Sequence, residues 1–407
     1  MNNAIPLVML QQACIPHYRQ QLFEKLGSDP RFRLIILADP WADVPFLRLS
    51  TDQDQYEFEP AKHYIPLRWV VSWQPRAVTR MVQARPDVMI AQGSPYDLTA
   101  WALTIVGRVL GIPVLLWTHG LRGNESGMKW IIRAWLYRLS CGLLLYGDHA
   151  KTLLKAKGFS GDRLHVVYNS LDDRKQMAVS KQLTARDRDA FRGLLGIEAH
   201  ERLMCFTGRL QPVKRLPWLL HALQMVVQRG HSVHLALVGD GSEREQLELL
   251  TNELGLTRLV HFFGAVYEES SLGLVISASD LAVIPAGAGL SIMHALAYGT
   301  PVLLDDKIEE HFPEWEAVKE GDTGWFYSSN APSDCAQKII DALYPTPGKS
   351  RMAAACQAMI RRRYNTISHA RLLTDAIAKH CPLASINETD EPLSDAACRS
   401  ESFGHSL

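Results

Sequence analysis

The 407-residue chain is 47% apolar and 21% charged, and its 43 Lys and Arg balance 43 Asp and Glu. Zero formal net charge supplies no long-range positive field for nucleic acid. Seven cysteines, odd in number and without a Cys-x-x-Cys pair, argue against a disulfide framework or zinc site and for a reducing cytosol. The length exceeds what one core organises, so two domains of roughly 150–200 residues each are expected.

The chain opens with Met1, two Asn and the apolar run Ile5–Leu10, without the basic start or cleavage site of a secretion signal. It has no uncharged apolar run of about 20 residues, as a spanning helix would need, so a cytoplasmic protein is expected. Apolar runs then alternate with amphipathic stretches: Leu7–Leu10, Tyr18–Leu26, Phe32–Leu37, a polar interval, Ala77–Ala84 and Val88–Ala91. A helix after Pro95 ends at Gly111, and Val114–Trp117, Met128–Leu139, Leu143–Tyr146, His149–Lys157 and Leu164–Tyr168 continue the pattern. Such alternation implies a parallel sheet covered on both faces. Asp172–Arg192 is polar, charge-rich and without a strand pattern, which sets a first domain at 1–170 and a linker at 171–200.

The scheme repeats more clearly from Leu203–Phe206, so a second domain spans 201–360. Pro217 opens a helix whose Leu216, Leu219, Leu220, Leu223, Val226 and Val227 share a face, with Gly230 as its cap. After the strand His234–Val238, the turn Gly239-Asp240-Gly241 leads to Ser242 and Glu245, spaced as a capping box. Val260–Phe263 is a further strand, Glu269–Ala278 a helix, and Ala353–Lys379 is helical again, with 361–382 as a C-terminal helix. The acidic tail 383–407 holds little that could be buried and is expected to be disordered.

One stretch, Ile284–Leu304, reads as a strand end, a glycine loop, a helix, a tight turn and a strand. Gly287 and Gly289 allow close backbone approach, and the following helix start offers free N–H groups and a positive dipole end to a phosphate. Arg209 and Lys214 follow the strand Leu203–Phe206, a fork and a point charge suited to a departing diphosphate. The same cations also fit a solvated helix end; the glycine loop in the same sheet favours phosphate.

Gly208-Arg209-Leu210 with Lys214, Gly239-Asp240-Gly241, Phe263-Gly264, Gly287 through Gly299-Thr300-Pro301-Val302, Pro313-Glu314 and Gly321–Gly324 form an ordered set. Over about residues 165–330 it resembles family 4, or group 1, glycosyltransferases of the GT-B fold, two Rossmann-like domains facing across a cleft. The resemblance implies a retaining transferase with a nucleotide-sugar donor in the second domain, an acceptor in the first, and the C-terminal helix crossing back. It implies catalytic roles for His119, Arg209 and Lys214, with Arg209 and Lys214 on the diphosphate. Donor contacts are implied for Arg19, Gly208, Gly239, Asp240, Gly264, Gly287, Ala288, Gly289, Leu290 and His294, of which Arg19 would lie near the phosphates. Neither a cofactor nor a metal is implied. The acceptor is expected to be a glycan or a lipid-linked molecule in bacterial surface polysaccharide assembly, lipopolysaccharide included.

Several positions depart from the pattern. Ala286 and His294 stand where the family usually has two Glu, Arg215 stands where Gly follows the Lys, and no Gly-Gly loop follows the first strand. The chain is most similar to a branch with His for the second Glu. A catalytically silent sugar-nucleotide-binding subunit and a nucleotide-sugar epimerase are the alternatives. Asp52-Gln53-Asp54 has the form of a metal-binding Asp-x-Asp, but its polar surroundings do not place it at the end of a buried strand. His119 alone would also fit a satisfied core histidine. Arg361, Arg362 and Arg363 fit a solvated helix face or lipid phosphates. Residues 122–163 hold eight basic residues against three acids, with Trp130, Ile131, Ile132, Trp135 and Leu136 interleaved. That helix fits either peripheral contact with the cytoplasmic face of an inner membrane or burial by its aromatic side.

Overall fold

The computed structural model of the chain describes residues 5–41, 56–65, 71–329, 331–344, 349–381 and 383. Asp52-Gln53-Asp54 and the tail beyond 383 lie outside them.

The first half runs β1 (Leu7–Gln11), α1 (Gln20–Gly27), β2 (Arg33–Ala38), β3 (Glu57–Pro60), α2 (Pro75–Ala84), β4 (Val88–Gln92) and α3 (Leu98–Leu110). It continues through β5 (Val114–Thr118), α4 (Gly127–Leu139), β6 (Gly142–Leu145), α5 (Asp148–Ala156) and β7 (Leu164–Val166). Its seven strands lie in the order β3-β2-β1-β4-β5-β6-β7, all parallel, with Val8 paired to both Leu34 and Val88. The period of two along each strand divides the core. Val8 and Leu10 join Phe23 and Leu26 of α1, whereas Met9 faces Met81, Leu103 and Tyr137 of the opposite helices.

The second half runs α6 (Asp173–Gln182), α7 (Ala185–Leu194), β8 (Arg202–Thr207), α8 (Leu216–Gln228), β9 (Val233–Val238), α9 (Arg244–Glu253), β10 (Val260–Gly264) and α10 (Glu269–Ala278). Then come β11 (Leu281–Ile284), α11 (Leu290–Ala297), β12 (Val302–Asp305), β13 (Gly324–Tyr327), α12 (Pro332–Leu343), α13 (Lys349–Arg362) and α14 (Thr366–Ala378). Six strands form a parallel sheet in the order β10-β9-β8-β11-β12-β13. Two Rossmann-like units are therefore joined in tandem. The chain passes between them at 167–172 and again at 363–365, after which α14 packs on α1 and buries Leu373 and Ile377 beside Leu22 and Phe23.

The structure corrects four local expectations. The charge-rich segment 171–200 carries two helices, because Asp172 caps α6 at Lys175 N and Thr184 forms a capping box with Asp187 over α7. Ser242 and Glu245 form no capping box: α9 starts at Arg244, and the turn is held instead by the Glu243 N–H donating to Leu210 O at 3.0 Å. The helical run Ala353–Lys379 breaks after Arg362, where the Asn365 side chain accepts from Ser368 N and starts a new helix. The polar interval hides β3, an edge strand read poorly from sequence because its Glu57 and Glu59 pair with Arg33 and Arg80 rather than entering the core.

Candidate functional site

In both sheets the strand order reverses beside the first strand of the unit, between β1 and β4 and between β8 and β11. The carboxyl ends of strands at such a reversal splay their loops apart and open a crevice. Each sheet has its cavity there.

The second-half pocket, about 270 Å³, is lined by Gly208, Arg209, Gly239, Asp240, Val266, Tyr267 and His294 among others. Its floor requires glycine: a Cβ on Gly239, at φ +144°, would lie 1.8 Å from Gly208 O. Gly239 N–H donates to Gly264 O at 2.8 Å, which brings the three strand ends together. Lys214 reaches across from the β8 side, and its Nζ donates to Gly287 O at 2.5 Å. Burial, and then the charge of Arg209, push the Lys214 ammonium below its ordinary pKa. Lys214 is thus held on the glycine loop with the charge of Arg209 nearby.

That loop is fixed from behind. Ala288 N–H donates to His311 Nδ1 at 3.1 Å, so the ring proton sits on Nε2, 2.5 Å from the buried Asp305 Oδ1. Ala288 O accepts from Phe312 N at 2.7 Å. Gly289 and Leu290 begin α11, where N–H groups lack intrahelical acceptors and the dipole is positive. His294, one turn along α11, lies 3.6 Å from Glu269 Oε2, and Tyr298 donates to Glu269 Oε1 at 2.7 Å. Burial pushes the Glu269 carboxyl up, but the His294 and Tyr298 contacts outweigh it and hold the group below its ordinary value.

The first-half cavity is larger, about 760 Å³, and is lined by the ends of β1, β4 and β5, with Glu309 from the second half on its rim. Arg19 and His119 both line it. The Arg19 guanidinium lies over Trp117 at 4.5 Å, and Nη2 donates to Tyr146 Oη at 2.5 Å. His119 stacks on Tyr146 with ring centroids 4.6 Å apart and meets Phe312 edge-on at 5.5 Å. Burial, then Arg122, Arg19 and Arg133, push the His119 ring down to about 3, so it is neutral at physiological pH.

Segment 312–316 of the second half reaches the first half between these cavities. Both Glu316 carboxylate oxygens accept from the first turn of α5, Asp148 N and His149 N each at 2.8 Å. Asn169 Nδ2 donates to Glu314 Oε1 at 2.7 Å, and Arg122 lies 4.3 Å above the Phe312 ring.

Of the residues singled out in sequence, Gly208, Arg209, Gly239, Asp240 and His294 meet in one pocket. Lys214, Gly264 and Gly287–Leu290 do not line it: Gly264 O accepts from Gly239 N–H, and Lys214 bonds Gly287 O. Arg19 and His119 share the other cavity, and no residue lines both. The Ala288 N–H is already bonded within the protein. Sequence reasoning missed Glu269, Asp305, His311 and Glu316, whose parts depend on contacts across the fold. Among the described residues no group of three or more His, Cys, Asp or Glu is placed to hold a metal, and no helix is long and apolar enough to cross a membrane.

Residues 187–358 match the family of glycosyl transferases group 1. An uncharacterized glycosyltransferase of Methanocaldococcus jannaschii is 31% identical over 146 residues, 35% of this chain and 36% of the relative. A D-inositol 3-phosphate glycosyltransferase of Rhodococcus erythropolis is 30% identical over 218 residues, 51% and 46% of the two chains. The chain spans half or less of the curated relatives it matches. HepE of Anabaena, solved with UDP, superposes with a TM-score of 0.70 at 19% identity over 92% of this chain and 100% of its own. The lipopolysaccharide outer core galactosyltransferase WaaB superposes with a TM-score of 0.66 at 15% identity, over 92% and 99%. The architecture is the GT-B fold.

Proposed function

We propose that the protein is a retaining, family 4 glycosyltransferase that moves a hexose or deoxyhexose from a nucleoside diphosphate to a glycan or lipid-linked acceptor. One observation carries it: Lys214 bonds Gly287 O of the glycine loop and feels the charge of Arg209, which lines the pocket at the strand reversal of a sheet within the residues that match glycosyl transferases group 1. Cations held at that point stabilise the charge that grows on a leaving diphosphate, and the start of α11 adds its dipole. The donor takes the second-half pocket and the acceptor the first-half cavity. HepE has been solved with UDP-glucose, and WaaB is named for galactosyl transfer to lipopolysaccharide, which supports a nucleotide-sugar donor and bacterial surface polysaccharide as the setting. The leaving phosphate itself assists the acceptor hydroxyl on the same face of the sugar, so no protein nucleophile and no metal take part.

The location belongs to the same proposal: a cytoplasmic protein lying on the inner face of the membrane through residues 122–163. Met128, Ile131, Ile132 and Trp135 of α4 face outward rather than into the core, with Lys129 and Arg138 exposed beside them.

A thermal-shift and product screen against UDP-, GDP-, dTDP- and ADP-sugars, with and without EDTA, tests the reading. A melting shift with one nucleotide class and slow diphosphate release that persists in EDTA is expected. Binding without release, even with acceptors supplied, would instead mark a silent binding subunit; sugar conversion without an acceptor would mark an epimerase.

A further inference from the structure

The first-half cavity contains a buried cation that makes no ion pair among the described residues. Arg19 is 8% exposed, and its Nη1 is buried without a hydrogen-bond partner among the described residues. Its contacts include aromatic faces and phenol oxygens: Trp117 at 4.5 Å, Tyr146 at 5.4 Å, and the hydroxyls of Tyr146 and Tyr18. Stacking holds a guanidinium in place but leaves the in-plane N–H groups unsatisfied, and a buried donor without an acceptor is costly.

The other charges around the cavity do not remove the excess. Arg133 is bound by both oxygens of Glu125, at 2.9 and 3.1 Å. Arg122 stacks on Phe312, and Glu309 stands exposed at the rim. Glu314 is the buried carboxylate that feels both Arg19 and Arg122; burial raises its pKa, its Oε1 is taken by Asn169, and its Oε2 has no hydrogen-bond partner among the described residues. His119, in the same wall, is held neutral in part by the three arginines around it. Two guanidinium groups, Arg19 and Arg122, thus share one buried carboxylate, and neither is ion-paired among the described residues, beside a space of about 760 Å³.

We infer that this cavity binds its ligand through an oxyanion, a phosphate or a carboxylate, held by Arg19 Nη1 and the Arg122 guanidinium. The inference rests on the transferase reading only in calling that ligand the acceptor. A neutral glycan needs no desolvated guanidinium, whereas a bidentate cation at the base of a cleft suits an anionic group. The proposed donor pocket has its own cation, Arg209, with Lys214 nearby, and shares no lining residue with this one.

Calorimetric titration of the full-length protein with methyl phosphate, methyl glucuronide and methyl glucoside tests this. At least one anionic probe is expected to bind about tenfold or more tightly than methyl glucoside. Arg19→Gln and Arg122→Gln should each lose roughly tenfold to a hundredfold of that affinity while UDP binding is unchanged. Binding of methyl phosphate alone identifies a phosphorylated acceptor, and of methyl glucuronide alone an acidic sugar. Arg122 is only partly buried, so its variant serves if Arg19→Gln does not fold. Equal binding of the neutral glycoside, or wild-type anion affinity in folded variants, would overturn the inference. So would a loss of UDP binding in folded Arg19→Gln, which would assign Arg19 to the donor. Failure of the wild-type protein to bind any nucleoside diphosphate would count against the transferase and leave the anion result standing.

Discussion

Arg215 occupies a left-handed backbone position, φ +51°, directly after Lys214. A glycine would take that conformation without strain, and the family resemblance places one there. Arg215 offsets its strain with an ion pair to Glu310 at 2.7 Å and an approach of 3.5 Å to Asp305, which in turn bonds His311 behind the glycine loop. The departure legible in sequence is therefore tied into the loop support, but through three residues about 90 positions downstream that no local pattern connects. Arg209 is simpler. Arg209→Ala should lower kcat by about a hundredfold or more, the scale for removing one donor to a developing oxyanion, with the melting temperature nearly unchanged because the side chain is exposed. For His119 the sign follows from its depressed pKa. The folded state stays unprotonated from about 6.5 down to about 3 while the unfolded chain takes up a proton, so its contribution to stability is complete above 6.5 and fades as pH falls. His119→Asn should lose part of the acid destabilisation seen between pH 6 and 4 in urea titrations, and a pH–rate profile should show no His119-dependent limb near 6.5.

Among elements, the buried parallel strands were the most readable, since runs such as Leu281–Ile284 are apolar throughout and bounded by breakers. Helix α12 went unread although Pro332 opens it and Cys335, Ala336, Ile339 and Leu343 share its buried face. Its apolar positions include small and sulfur-bearing residues, which weaken the pattern. No sequence rule could supply the cap on α5, because the acceptor for its first N–H groups is Glu316, 168 residues from Asp148. Glu316→Ala should cost about 1–2 kcal/mol in urea unfolding, the scale of losing an N-cap. Gly147→Ala should act on the same contact from the other side, since its Cβ would lie 2.3 Å from Glu316 Oε1, so the two losses should fall well short of additive. Helix α4 is partly buried and partly exposed: Trp130 packs on Phe159, while Trp135 is 65% and Met128 69% exposed. On anionic liposomes, Ile131→Ser with Trp135→Ser should reduce flotation by about tenfold or more; unchanged flotation, or none by the wild type, would remove the membrane contact.

At the scale of the molecule, the tandem of parallel sheets followed from alternation alone, and the facing of two strand-end crevices followed from the tandem. What the sequence could not disclose is how the halves touch. Phe312 belongs to the second half, and its N–H holds Ala288 O of the glycine loop; its ring lies against His119 and Arg122 of the first. One residue thus ties the glycine loop, through its backbone, to two side chains that line the first-half cavity, through its ring. If a donor's phosphates shift the loop, Phe312 moves with it and alters the grip on the acceptor, and thermodynamic linkage then requires the acceptor to alter donor affinity by the same factor. Paired titrations should give equal cooperativity factors in either order of addition, on the order of five- to a hundredfold in the wild type and near unity in Phe312→Ala. Unequal binding order would then be a matter of concentrations and rates, with the protein itself favouring neither ligand as the first.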